Sequence, residues 1–484
     1  MKKIFIFLLL NFFVAGNLFA QKEDRNWVFG DSIRIDFNNL SNPTVHHANC
    51  FNNETNASIS DGFGNLLMYL SIQNYWVNSF SAIINRLDEI MENGDTIMNN
   101  YSASDGSLFL PINGTSRYYF FTLGPVAGQF NNSLLESIVD TNFNSGLGKV
   151  ISKNILLDDS LTEHLVAIKH ANGRDWWVIS KKYYTNQFVK FLLTPNGILG
   201  PYFQNIGSVS FSYIGECVAS RDGNKLCFVN SSGNRDIFNF DRCNGDFSNW
   251  IELGIPPYNQ SNLGDWLSYG CEFSEDGMRI YINSSDSGFT TKIEQYSINN
   301  GNPIATKTTI FPPTQDIYFC QMQLGPDDKI YISGALVPSL DSCWKYLSTI
   351  NSPNDSGSLC NLDLYSFYME GHLLVNGLPN MPNYNLSELV GSGCDTLNLG
   401  INDVNKNANP DFNIFPIPTD GNFTITTSIT IQQTEVINLL GEKVYSLRCN
   451  TPTQTLHLTT LSKGVYFIRL KTADGLVMKK VVVE

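Results

Sequence analysis

The stretch YGCEFSEDGMRIYI, Tyr269 to Ile282, decides the fold. A small apolar run, an Asp-Gly pair and an alternating apolar run make the pattern of a β-hairpin. Ile280 and Ile282 alternate with Tyr281 and Asn283, the period of a strand packed between two layers. The figure recurs along the chain. Asp-Gly or a similar pair stands at Asp61-Gly62, Asn113-Gly114, Asn172-Gly173, Asp222-Gly223, Asp276-Gly277 and Asp327-Asp328, at spacings of 52, 59, 50, 54 and 51 residues. A period of that size in a chain of short strands predicts an all-β fold, a β-propeller with one four-stranded blade per repeat. Residues 21–397 hold about seven such blades.

The repeats beginning at Glu216 and Cys271 are the cleanest, each with four β segments parted by polar turns. The next begins CQMQLGPDDKIYIS at Cys320. A last blade has to be assembled from Leu359 to Tyr384 together with the opening aromatic strand in NWVFGDSIRIDFNN, Asn26 to Asn39. Such closure removes an exposed sheet edge. The polar stretch 398–411, NLGINDVNKNANPD, reads as a linker. Beyond it, residues 412–484 alternate short strands with turns at Asp420-Gly421, Gly441-Glu442, Lys463-Gly464 and Asp474-Gly475, which predicts a small β-sandwich.

Residues 1–20 have the form of a secretion signal: Lys2 and Lys3, an apolar run from Ile4 to Ala15, and Ala20 before a cut at Gln21. The run is short, contains Asn11 and lacks a basic flank, which argues against a membrane anchor. No later segment is long and apolar enough to span a bilayer, so the mature chain is expected to have no integral membrane segment. A net charge of -14 without a Lys/Arg cluster argues against nucleic acid as a partner. The ten cysteines include no Cys-x-x-Cys, so zinc ribbons and thioredoxin-like chemistry are unsupported. In an exported chain the pairs Cys217–Cys227, Cys243–Cys271 and Cys343–Cys360 are candidate disulfides, with buried thiols as the alternative.

Four segments in order carry a family resemblance: FPIPTDGNF (Phe415 to Phe423), VINLLGEKVY (Val436 to Tyr445), LSKGVYFIRL (Leu461 to Leu470) and the terminal MKKVVVE. Together they resemble the type A C-terminal sorting domain of cargo exported by the Bacteroidota type IX secretion system, with Ile417 where the family usually has Asn. Its motif falls on Pro416, Pro418, Gly421, Gly441, Gly464, Tyr466, Lys479 and Lys480. The resemblance implies the type IX machinery at the outer membrane as a partner and a route through the periplasm. It also implies removal of the tail, leaving the cargo secreted or attached to the cell surface. WVFG at Trp27, CEFSEDG, QLGPDDKIYIS, INSPNDSG and GLPNMPNY resemble a WD-repeat-like propeller found ahead of this tail, a family with no common activity to transfer. Asp31-Ser32-Ile33, Asp95-Thr96-Ile97, Asp159-Ser160-Leu161 and Asp395-Thr396-Leu397 match the short O-glycosylation pattern of that phylum.

Candidate chemistry is thin. Gly30-Asp31-Ser32 and the Gly400 to Asp403 stretch echo two blocks of SGNH hydrolases, but no His completes the Asp-x-x-His block that Ser32 would need. DVNKNANPD, Asp403 to Asp411, resembles a calcium loop yet has Ala408 where Gly is required and Ile414 where a bidentate Glu belongs. His46-His47, His164 and His170 lack companion ligands at metal spacing. No catalytic, cofactor-binding or metal residue is therefore assigned, and no cofactor is expected. Trp176-Trp177 and Tyr183-Tyr184 either offer stacking surfaces for sugars or fill the core as neighbouring strand positions. The expectation is a secreted or cell-surface propeller that binds a glycan or a protein. The alternatives are a polysaccharide hydrolase or lyase, for which Glu216, Glu272 and Asp222 are the carboxylates to inspect, and a structural surface or motility component.

Overall fold

Each Asp-Gly turn joins the innermost strand of a blade to the second, and the aspartate makes the turn. The Asp276 carboxylate accepts from the Ser274 hydroxyl at 2.6 Å and the Met278 amide at 2.9 Å. Asp222 does the same with Ser220 and Asn224. The glycines supply positive φ, 71° at Gly223 and 64° at Gly277. In the last turn Asp328 takes that place at φ 65°, a conformation acidic and amide side chains tolerate.

The computed structural model describes residues 22–73, 80–125, 132–253, 267–285, 290–299, 301–314, 318–335, 344–394, 412–438, 443–459, 461–472 and 475–483. The chain divides into two compact units, residues 1–397 and 398–484. In the first, seven blades follow in chain order. Blade one holds Asn26–Phe29, Asp31–Asp36 and Thr44–Phe51; blade two runs from Ser58–Ser60 through Leu66–Gln73 and Phe80–Asn85 to Ile97–Met98. Blades three and four share one seven-stranded sheet, because the long strand Lys149–Lys169 is the outer strand of one and the inner strand of the next. Blade four continues with Trp176–Lys182, Gln187–Thr194 and Gly197–Asn205. Blades five, six and seven are regular four-stranded sheets starting at Cys217–Ala219, Leu267–Phe273 and Tyr318–Leu324.

Closure differs in detail from the sequence expectation. The opening stretch supplies three strands of its own sheet where one was expected. Leu362–Tyr368 is the outer strand of blade seven. The chain then returns to the centre: Leu373 bridges Asp31, and Leu374 and Leu378 pack with Trp27 and Phe29. Gly30 permits that approach, since a Cβ there would lie 2.9 Å from the Leu373 carbonyl oxygen. Trp27 and Phe37 each meet Tyr331 edge-on at 5.5 Å, joining blade one to blade seven.

The second unit is one five-stranded sheet folded over a single core. Asn422–Ile437 pairs with Lys443–His457 along one edge and, on the other, with Phe412–Phe415 and then Gly464–Thr472. Gly475–Val483 completes it. Tyr466, Ile468 and Leu470 alternate inward with Val481, so the period-two pattern is a buried face as expected. The Tyr466 hydroxyl donates to the Ser462 carbonyl at 2.8 Å. Gly421 has φ 97°, and a Cβ on it would sit 2.6 Å from the Leu458 carbonyl oxygen. Pro416 and Pro418 occupy the link between the first two strands, and Lys479 and Lys480 are exposed on the last. Gly441, like Ala20 and Gln21, lies outside the described residues.

Candidate functional site

The propeller has two mouths, and antiparallel pairing assigns their contents. Turns between first and second strands, the Asp-Gly turns, lie at one end. Turns between second and third strands, and the crossings into the next blade, lie at the other.

The Asp-Gly mouth is plugged by the chain itself. Residues 378–389 run across it, held by side chains and backbone from four blades. Asn380 donates to the Leu165 carbonyl at 2.7 Å and Asn383 to that of Arg221 at 2.7 Å. The Tyr384 hydroxyl donates to Phe109 O at 2.7 Å, and Lys169 Nζ donates to Tyr384 O at 2.9 Å. The Leu378 amide donates to Gln321 at 2.5 Å, and the Leu389 amide to Ala171 O at 2.8 Å. GLPNMPNY, expected within the last blade, lies outside any strand and runs in this plug.

Beneath it lies a cavity of about 100 Å³ into which Asp105, Glu216 and Glu272 project. Their carboxylates are engaged with the walls. Glu216 accepts from the Cys271 amide at 2.8 Å and the Met322 amide at 3.3 Å, at register shifts in the inner strands of blades six and seven. Glu272 accepts from the Leu324 amide at 2.8 Å, and Asp105 from that of Cys217 at 2.7 Å. Each acid thus ties one inner strand to another. Burial pushes the Glu272 carboxyl up to about 8 despite these donors. Burial first, then repulsion from neighbouring acids (Glu163 and Glu272 on Asp105, Asp105 and Glu272 on Glu216), raises both well above the usual carboxylate range. Glu163, buried beside Ser104, is raised to about 8 by the same desolvation. Asp222, the third carboxylate singled out in the sequence, belongs to its turn. Although partly buried, it is held below its ordinary value by hydrogen bonds from Ser220 and Asn224.

Other candidates resolve into structure. Ser32 donates to its neighbour Asp31 at 3.0 Å in the tight turn of blade one. His164 is buried against Phe228, its Nε2 2.8 Å from the Val229 carbonyl oxygen, and burial lowers it to about 3. His170 Nε2 lies 2.9 Å from Cys243 O, and His46 contacts Thr44. Among the described residues no group of three or more His, Cys, Asp or Glu is placed to hold a metal. The calcium-like stretch 403–411 lies outside them. Ser32, Thr96 and Ser160, the hydroxyls of three Asp-Ser/Thr triplets, all adopt positive φ, at 65°, 57° and 57°; the fourth triplet is outside the described residues. Of the candidate disulfides, Cys217–Cys227 and Cys243–Cys271 are not formed, and these four residues and Cys360 are thiols. Cys217 and Cys227 pack into different clusters on the two faces of blade five, because they sit one position out of register. Cys343 is not among the described residues.

The aromatic pairs separate. Trp176 and Trp177 are buried, the first edge-on to Tyr384 in the plug at 5.8 Å, the second donating its indole N–H to Arg242 O at 3.0 Å. Tyr183 and Tyr184 instead form the turn after Trp176–Lys182, at the mouth away from the plug. There they meet the loop 206–216 that crosses to blade five. Tyr183 and Tyr184 rings lie 4.0 Å apart; Tyr213 meets Tyr183 edge-on at 5.8 Å, and Phe211 meets Tyr184 at 6.4 Å. Tyr184, Phe211 and Tyr213 are 63, 54 and 45% exposed. Backbone bonds lock the two loops: Tyr184 N to Ser210 O and Ser210 N to Thr185 O, both 3.0 Å, and Glu163 N to Tyr213 O at 2.8 Å. Tyr184 itself is held at φ 58°, unusual for an aromatic residue. Sequence reading found half of this cluster; Phe211 and Tyr213 join it only through the fold.

Comparison with known proteins identifies the tail. Residues 413–484 match the secretion system C-terminal sorting domain. The chain is a type IX secretion cargo, a propeller carried ahead of a sorting tail, and that tail directs export to the cell surface or beyond it. No curated protein matches the chain significantly. Among solved structures it is similar to PorZ of Porphyromonas gingivalis, an essential bacterial surface component of the type IX secretion system. That match is 11% identical over 95% of this chain and 69% of PorZ, with a TM-score of 0.30. A quinonprotein alcohol dehydrogenase-like protein of Bacteroides thetaiotaomicron matches at 11% over 75% of this chain and 77% of its own, TM-score 0.37. The Swd1 β-propeller domain of Myceliophteria thermophila matches at 10% over 64% and 94%, TM-score 0.34.

Proposed function

We propose that the mature protein is a binding propeller, cut after Ala20, exported through its tail and then separated from it near residues 398–411. Its ligand is a glycan or a protein met outside the cell. The observation that carries this reading is the exposed aromatic cluster at Tyr183, Tyr184, Phe211 and Tyr213, held by backbone bonds between two loops. Exposed rings in a fixed frame are costly in water and favourable once covered. The carboxylates a hydrolase or lyase would use are otherwise employed, Glu216 and Glu272 on backbone amides and Asp222 in its turn. The test is capture of extracellular polysaccharide and protein fractions by the immobilised full chain, with reducing-end release measured in parallel. Capture without depolymerisation is expected; turnover of a captured polysaccharide would favour the enzyme.

A further inference from the structure

We infer that the loops 183–187 and 206–215 form a stacking platform for a neutral, hydroxyl-rich glycan. The inference rests on the binding reading above and names its ligand class. The first ground is composition. YYTNQ and IGSVSFSYIG contain no Asp, Glu, Lys, Arg or His; they are aromatic rings, hydroxyls, amides and glycines. Tyr with Ser, Gly and Asn is the mixture that gives large rigid contact area together with adaptable hydrogen bonding.

Electrostatics narrows the ligand. The chain carries a net charge of -14, these loops contain no cation, and the adjoining Lys181 and Lys182 are paired with Asp236 and Asp158. Uronic acids, sulfated sugars and phosphorylated partners would meet an unfavourable field, whereas a neutral sugar loses nothing. The hydrogen bond with Tyr184 leads in pushing the Tyr183 hydroxyl up to about 12, so that phenol stays neutral.

Preorganisation supplies the second ground. Binding usually costs the ordering of side chains and loops. Here Tyr184 is already fixed at positive φ by its amide's bond to Ser210 O and by the Ser210 amide's bond to Thr185 O, so that cost is met within the fold. The Ser210 hydroxyl, fully buried between the loops, has no partner among the described residues. Apolar C–H faces of a pyranose ring fit the exposed faces of Tyr184 and Phe211, with the phenols and the Asn186 amide for its hydroxyls, since Ser208 and Ser212 are bonded to Asp236 and Ser231.

A retention assay decides it. The full chain is run on immobilised cellulose, β-1,3-glucan, mannan and amylose, with polygalacturonate and alginate as anionic counterparts. Tyr184→Gly removes the ring at a position whose φ suits glycine, so the fold is kept; Phe211→Ser is the second variant and Tyr184→Phe the control. Retention on at least one neutral polysaccharide is expected, about tenfold weaker in Tyr184→Gly and in Phe211→Ser, and preserved in Tyr184→Phe. Retention on no neutral polysaccharide, on anionic ones alone, or undiminished in Tyr184→Gly overturns the platform. A protein captured equally by wild type and Tyr184→Gly would sink the platform but keep the binding reading; capture of nothing at all by the full chain would sink both.

Discussion

The buried acids give the propeller a pH dependence with a definite sign. The Glu272 carboxyl has an ordinary value of 4.5 and sits at about 8 in the folded chain; Glu163 is raised likewise. The folded state therefore holds protons that the unfolded chain has released. The stability from this source is fully present below about pH 4.5 and is lost as pH climbs through 8. We expect the melting temperature to fall between pH 5 and pH 9, and to fall less steeply in Glu272→Gln. A melting temperature that rises over that range would contradict the assignment of protonated acids. Glu216 and Glu272 are visible in the sequence as carboxylates at the start of repeats. Their occupation is not, because Cys271, Met322 and Leu324, whose amides they accept from, belong to strands over fifty residues away, and the two that Glu216 meets stand at register shifts that no local pattern announces.

Between blades, one short ion pair is almost fully buried. Arg235, on the third strand of blade five, donates to Glu294 of blade six at 2.8 Å, with both side chains 2% exposed. Arg235 also donates to the Ser268 hydroxyl at 2.7 Å and the Tyr296 hydroxyl at 2.9 Å. With Lys292 also 3.0 Å from Glu294, the acid is held down at about 2 even though burial opposes it. Arg235→Ala leaves that acid and two hydroxyls short of a donor inside the wall between blades. We predict a loss of about 3 kcal/mol in chemical denaturation, in the range measured when one partner of a buried pair is removed; a loss under about 0.5 kcal/mol, the size of a surface change, would refute it. At this scale the blades themselves were legible. Asp-Gly turns are local chemistry, since the aspartate caps its own turn and the glycine takes the positive φ. Tyr183-Tyr184 and Trp176-Trp177 looked alike as neighbouring aromatics, yet one pair is a turn and the other a core strand. What separates them is the loop 206–216, supplied some twenty residues later.

In the whole molecule, both ends of the propeller segment are committed to closing it, the opening strands as blade one and residues 373–389 as its bridge and plug. The mouth with the Asp-Gly turns is thereby filled, and the recognition we propose falls to the opposite mouth, where Tyr184 and Phe211 are exposed. The tail was legible because its motif is short, ordered and local, and its inward-facing Tyr466, Ile468 and Leu470 follow from strand alternation alone. The plug was not, since its meaning lies in bonds to four blades. The most direct measurement is a mass-spectrometric map of both ends of the protein recovered from its native host, taken separately from cells, surface and medium. A start at Gln21 and an end within residues 398–411, in the surface or medium fraction, is the predicted result. A mature extracellular protein that still carries residues 412–484 would contradict the account, and the C-terminal unit would then need a role of its own outside the cell.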